Sequence, residues 1–159
     1  DLSFQDLSDL LWAAVGVNRE DGRRTAPSAM NRQEIDVYVV MKDGAYLYNA
    51  AEHTLQPKSA GDYRTSVKGE QEFENPAPLY LVIVADIEKM GDVTQEQTKM
   101  MCAMDAGIVS QNINIFCAAT GLATVPRAWM NKEELKKVLK LSNNQHIMLN
   151  NPVGYPKGN

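Results

Sequence analysis

A chain of 159 residues with 44% hydrophobic and 23% charged side chains has the make-up of a soluble globular protein and the length of one domain, residues 1–159, with enough chain to bury a real core. Its net charge of -4 excludes the basic footprint of a nucleic-acid binder, and acidity of this size favours solubility without naming a partner. Ser3-Phe4-Gln5-Asp6 has the Ser-x-x-acid form of a helix start, Leu7, Leu10, Leu11, Ala14 and Val15 follow at helical spacing, and Gly16 is a natural stop. Val17 to Arg24 is polar and glycine-containing, hence a loop.

From Arg23 to Val40 the chain changes character. Pro27 fixes its own φ and pushes Ala26 towards an extended conformation, while Val37, Tyr38, Val39 and Val40 predict a buried strand over about Ile35 to Met41. A loop carrying Ser28, Asn31 and Gln33 therefore runs straight into a core strand, a common way of holding polar groups rigidly at the rim of a pocket. Lys42-Asp43-Gly44-Ala45 carries an Asp-Gly turn, and Tyr46-Leu47-Tyr48 returns as a second strand. Ala50 to Pro78 shows no clear pattern beyond short helical stretches between Ser59 and Phe73; Leu79 to Ile87 then reads as a central strand.

Thr94-Gln95-Glu96-Gln97 has capping-box form and opens a helix that nothing interrupts before Gly121, about 40 Å at the usual rise. Asp105 is its only charge after Lys99. Together with Gln111, Asn112 and Asn114 it makes a membrane span costly, so the helix is expected to lie between the domain and a subunit interface, with no membrane partner. Cys102 and Cys117 sit on this helix about 22 Å apart, too far for a disulfide, and two buried thiols point to a reducing, cytoplasmic compartment. Asp1 as first residue leaves a processed or shortened N-terminus, and export, open. Asn131-Lys132-Glu133-Glu134 starts another helix with Leu135, Val138 and Leu139 on its inner face. A strand around His146 to Leu149 and the tail Pro152-Val153-Gly154-Tyr155-Pro156 close the chain.

Several chemistries lack their residues. His53 and His146 have no ligand-like spacing with a cysteine or carboxylate, so no metal is expected. There is no dinucleotide-binding glycine turn, Walker loop or nucleophile elbow, and no histidine near Ser28 in sequence to act as its base. Glu70, Glu72 and Glu74 read as a solvated face. A bound cofactor that performs the chemistry itself fits what remains, since it asks the protein chiefly for donors, acceptors and cations. Asn31 and Gln33 carry both a donor and an acceptor, and two roles are open to them: closing a turn or lining a ligand edge.

The order Pro27-Ser28-Ala29-x-Asn31-x-Gln33 followed by a strand resembles the flavin loop of the FMN-dependent nitroreductase family. Ala118-Ala119-Thr120-Gly121-Leu122-Ala123-Thr124-Val125-Pro126-Arg127-Ala128-Trp129 resembles its second flavin-contacting segment, and Val153-Gly154-Tyr155-Pro156-Lys157 its closing segment. The resemblance implies an α+β fold, a three-layer α-β-α sandwich with a mainly antiparallel sheet and a long central helix. It also implies a homodimer with flavin sites at the interface and small-molecule acceptors. The cofactor would be FMN, reduced at N5 by NADH or NADPH, and the flavin would in turn reduce a nitroaromatic, quinone or related acceptor by a ping-pong mechanism. No side chain is expected to be an obligatory acid or base. Carried over by position, the cofactor contacts are Arg24, Pro27, Ser28, Ala29, Asn31, Gln33, Pro126, Arg127, Ala128 (its N–H towards N5) and Lys157 (towards the phosphate).

The chain departs from the family pattern in two places. The Arg-x-Ser-x-Arg segment that binds the ribityl chain and phosphate is not present ahead of the first helix, leaving Arg19, Arg23, Arg24 and Lys157 as available cations. Glu34 stands where many relatives have proline, a difference expected to affect substrate preference. The run from Arg23 to Ser28 is also similar to the peptide-azoline dehydrogenase branch. An FMN-dependent dehydrogenase or dehalogenase on another substrate, or a non-catalytic flavin-binding module, are the alternatives.

Overall fold

Side-chain alternation along the strands decides the layering. In the computed structural model, which describes residues 2–70 and 76–156, six antiparallel strands form one sheet. They are β1 (Ile35–Val40), β2 (Gly44–Asn49), β3 (Thr54–Ala60), β4 (Leu79–Asp86), β5 (Ala123–Thr124) and β6 (Gln145–Gly154), in the order β3-β2-β1-β4-β6-β5. Val37 and Val39 of β1 join Leu79, Leu81 and Ile83 of β4 on one face. Tyr38 and Val40 join Tyr80, Val82 and Val84 on the other. Helices α1 (Phe4–Val15) and α3 (Gln95–Thr120) cover the first face, and α2 (Arg64–Lys68) and α4 (Lys132–Val138) the second. This is the three-layer α-β-α sandwich expected, with β4 buried on both sides at its centre.

The local signals for the helices hold. Ser3 Oγ accepts the Asp6 N–H at 3.0 Å and caps α1, and Thr94 and Asn131 cap α3 and α4 in the same way. Gly121, at φ 75°, takes the left-handed conformation that ends α3 and returns its N–H to Cys117 O. The buried face of α3 is Thr98, Cys102, Asp105, Ala106, Val109, Ser110, Ile113 and Cys117. Among the described residues no helix is long and apolar enough to cross a membrane.

Two strands exceed what the sequence pattern predicts. β3 lies at the sheet edge with most of its side chains in solvent, so it needs no alternation, and Pro57 is tolerated there because one side of an edge strand has no ladder to satisfy. β6 does not stop at Leu149 but continues to Gly154, because β4 pairs with it along its whole length and buried Asn150 and Asn151 find partners for their amides. Of the acidic run, Glu70 is exposed, while Glu72 and Glu74 lie outside the described residues.

Cys102 and Cys117 are unbridged and buried, and burial pushes both thiols up to about 11. Neither is a ready nucleophile. At neutral pH a water-soluble disulfide reagent is expected to leave the native protein untouched and to titrate two thiols once it is denatured. A fast-reacting thiol in the native state would show that α3 opens.

Candidate active site

The loop before β1 is built from unusual backbone. Met30, Asn31 and Gln33 have φ of 52°, 53° and 51°, a left-handed conformation that non-glycine residues adopt only when their surroundings impose it. Three ties impose it here. The Ala29 N–H donates to Asp105 Oδ2 on α3 at 2.7 Å, the Gln33 N–H donates to Ser28 Oγ at 2.8 Å, and Gln33 Nε2 donates to Gly22 O at 3.1 Å. Gln33 Nε2 also lies 3.3 Å from Asn31 Oδ1, which leaves Asn31 Nδ2 and Gln33 Oε1 as a donor and an acceptor with no partner among the described residues. Asn31 and Pro27 are exposed, and Ser28 and Ala29 half-buried.

Beside this loop opens a cavity of about 400 Å³ lined by Arg19, Arg23, Arg24, Pro27, Ser28 and Asn31. Arg24 donates through Nη1 to Ile35 O at 2.9 Å, pinning the start of β1, and Arg19 donates to Arg24 O at 2.9 Å. Arg23 pairs with Asp21 in solvent, a contact of little strength. Three arginines lining one cavity favour an anion.

The second predicted segment lies elsewhere. Arg127 and Asn150 exchange main-chain hydrogen bonds at 2.8 and 2.7 Å, and Asn150 Nδ2 donates to Trp129 O at 3.3 Å, so a fully buried asparagine on β6 fixes the backbone on both sides of Ala128. The Arg127 side chain is buried and donates to Lys68 O at 2.6 Å, towards the layer of α2 and α4. Its part in the segment is therefore to anchor it. Pro126, Ala128 and Trp129 are exposed, and no acceptor among the described residues takes the Ala128 N–H. Trp129, 63% exposed, is not a core residue; it lines a cleft of about 620 Å³ with Met130, Asp62 and Ser66.

Strand register sets the distance between the two segments. Ile35 lies opposite Ala85, whereas Asn150, the partner of Arg127, lies opposite Val82 and through it Tyr38. Three residues along the strand and three strand spacings across put Arg127 on the order of 17 Å from Ile35. No cavity named above is lined by both segments. The tail joins the second of them: Gly154 pairs with Ala123, and the Tyr155 hydroxyl donates to Asp6 at the start of α1, where it and Ser3 hold the Asp6 carboxyl below the usual range. Lys157 lies outside the described residues.

The model of the Nitroreductase family matches residues 1–155. The chain belongs to that family.

Among relatives of this nitroreductase-family chain is a protein of Methanocaldococcus jannaschii named "Putative nitroreductase MJ1384", 29% identical over 96% of this chain and 81% of that protein. The crystal structure of a putative nitroreductase from Ralstonia eutropha superposes with a TM-score of 0.92 at 38% identity, covering 99% of this chain and 75% of the other. An FMN-dependent nitroreductase from Clostridium difficile has the same fold, with a TM-score of 0.67 at 18% identity over 100% of this chain and 79% of its own.

Two constellations escaped the sequence reading. Glu34 is wholly buried beside Asp105, which supports the loop from below and does not line the arginine cavity. Only the burial of a charged residue in the structure could reveal this pair, since the two are 71 positions apart in sequence. Ser8 Oγ and the Tyr48 hydroxyl each lie 2.7 Å from a ring nitrogen of His53. No cavity described above borders that histidine, and the contact fastens α1 to the turn between β2 and β3. No group of three or more His, Cys, Asp or Glu side chains that could hold a metal occurs among the described residues.

Proposed function

We propose that this nitroreductase-family chain is a single-domain, FMN-dependent oxidoreductase that works as a homodimer and builds each flavin site from two copies. The observation that carries the reading is the Ala128 N–H: exposed, unpartnered and fixed on both sides by Asn150, it is a preorganised donor without an internal acceptor. The open Asn31 Nδ2 and Gln33 Oε1 suit the alternating edge of an isoalloxazine ring, and the arginine-lined cavity suits a phosphate. A bound FMN would supply hydride acceptance at N5 from NADH or NADPH and reduction of a nitroaromatic, quinone or related acceptor.

The chain's own residues then have separable tasks. Pro27 to Ala29 would form a rigid rim for the ring, Asn31 and Gln33 would select its edge, and Arg24, with Lys157, would supply positive charge for the phosphate. Pro126 and Arg127 hold Ala128, whose fixed N–H would be available to N5 without reorganisation.

Two features support assembly. The ring edge and the N5 donor belong to segments about 17 Å apart in one chain, so a second copy has to bring its Ala128 to the first copy's loop. The outer face of α3 also exposes Met100, Met104, Gly107, Gln111, Ile115 and Ala118 at helical spacing, a long stripe, apolar but for Gln111, of the kind that closes against another helix.

The purified protein is expected to be yellow, to release FMN on denaturation and to lose its visible absorption when NADH or NADPH is added without oxygen. A colourless protein that cannot be reconstituted with FMN would overturn the proposal. Flavin binding without bleaching would leave a non-catalytic flavin module.

A further inference from the structure

Beneath the loop that carries Asn31 and Gln33 lie two carboxyl groups in the core. Glu34 is 0% exposed and Asp105 6%, and the Asp105 carboxyl lies beside that of Glu34, where the two can share a proton. No donor of another described residue reaches either Glu34 carboxyl oxygen, so the only proton that can join them is their own. Asp105 Oδ2 spends its other contact on the Ala29 N–H, at 2.7 Å.

We propose that Glu34 and Asp105 are a proton-sharing pair that positions the loop from Ser28 to Gln33 through the Ala29 N–H, so that the order of this loop, and FMN binding with it, depends on the pair keeping one proton. The link to FMN rests on the function proposed above; the link to the loop does not.

The argument is one of charge and strain. With one proton the pair is a hydrogen-bonded acid and carboxylate carrying a single charge, and Asp105 stays aimed at Ala29. With none, two like charges share a site without water, and they separate or draw water in. The loop is poorly able to absorb that movement. Its three left-handed residues persist only while its ties hold, and the Asp105 contact is the one that fastens it to α3.

Burial outweighs the one cation among the groups that act on Glu34. Cys102, on α3, is neutral, its thiol pushed up to about 11 by burial and by the nearby carboxylates. Asp86, at the end of β4, adds negative charge. Lys89, in the turn over Ile87–Met90, favours the charged form of Glu34 but is bonded to Asp36 of β1 at 3.2 Å. Burial first, and the proton shared with Asp105 second, hold the Glu34 carboxyl up at about 7. An acid raised in the folded state contributes stability that is present at low pH and is lost as pH rises up to that value.

The test follows the Ala29 amide in flavin-free protein by hydrogen exchange and NMR, together with the thermal midpoint, from about pH 5 to about pH 8.5. In the wild type the thermal midpoint should fall from about pH 5 to about 7 and level off above it, and Ala29 protection should fall as pH passes about 7. Glu34→Gln, which keeps a neutral donor to Asp105, should hold both flat, whereas Asp105→Asn, which removes the second charge but leaves Glu34 buried, should weaken the pH dependence without abolishing it. A flat wild-type profile, or a slope unchanged in Glu34→Gln, would overturn the proposal. FMN titrations over the same range should weaken by roughly fivefold or more in the wild type and not in Glu34→Gln. Loss of Ala29 protection without any change in FMN affinity would leave the pair's hold on the loop standing and overturn its link to the cofactor. Because the amide is read without flavin, a failure of the FMN assignment cannot be mistaken for a failure of the pair.

Discussion

Gly107→Arg is expected to turn the proposed homodimer into a monomer that does not hold FMN, while its own fold survives. An added Cβ at Gly107 meets nothing within 4 Å, and the residue sits on the exposed side of α3 with an ordinary helical backbone. Within one subunit the change is therefore free of clash, and leaving glycine behind in a helix favours the fold by up to about 1 kcal/mol. Between two subunits the outcome is the opposite. Gly107 is the smallest point of the stripe through Met104 and Gln111, where a second helix can come closest, and two arginines meeting there would face each other as like charges. Such a juxtaposition costs several kcal/mol, which corresponds to about 100-fold or more in assembly.

If each flavin site needs the partner's Ala128, FMN affinity should fall together with dimerisation. Light scattering on a sizing column, FMN titration and circular dichroism of the same samples decide the matter, with Gly107→Ala as the control that stays dimeric. A Gly107→Arg protein that remains dimeric and yellow would place the interface on another face.

Ala128→Pro is expected to slow flavin reduction by NADH or NADPH by about 10²–10³-fold, the usual effect of removing one preorganised donor from developing charge. The substitution deletes an N–H that has no acceptor among the described residues, so no internal hydrogen bond is lost. It also suits the local backbone. Ala128 is not among the positive-φ residues, and proline favours an extended residue before it, which Arg127 already is through its pairing with Asn150. Ala128→Gly, which keeps the N–H, should reduce at near the wild-type rate. Stopped-flow bleaching of the bound flavin measures both. Equal rates for Ala128→Pro and the wild type would take the N5 role from this residue.

Much of the fold was legible along the chain because its signals are local. Ser3, Thr94 and Asn131 announce three helix starts by their own side chains, Gly121 announces an end, and the unbroken apolar run of β4 marks the middle of the sheet. The edge strand β3 was not legible, because half-solvated positions leave no periodic trace. The far half of β6 was hidden for a different reason: Asn150 and Asn151 look like loop residues until Trp129 O, Thr124 and Asn114 are seen to take their amides.

The candidate site divides in the same way. Residue types and their order from Pro27 to Gln33 and from Val125 to Trp129 were enough, by themselves, to suggest the family and to single out both segments. That the segments stand at separate places in one subunit, that Arg127 anchors its segment through Lys68, and that Glu34 lies under the loop beside Asp105 were decided only by the tertiary structure. The physical reason is range. Caps, turns and apolar periods act between residues a few positions apart and are written in the chain. Register across a sheet, and the burial that joins two acids from distant positions, exist only once the strands and helices have packed.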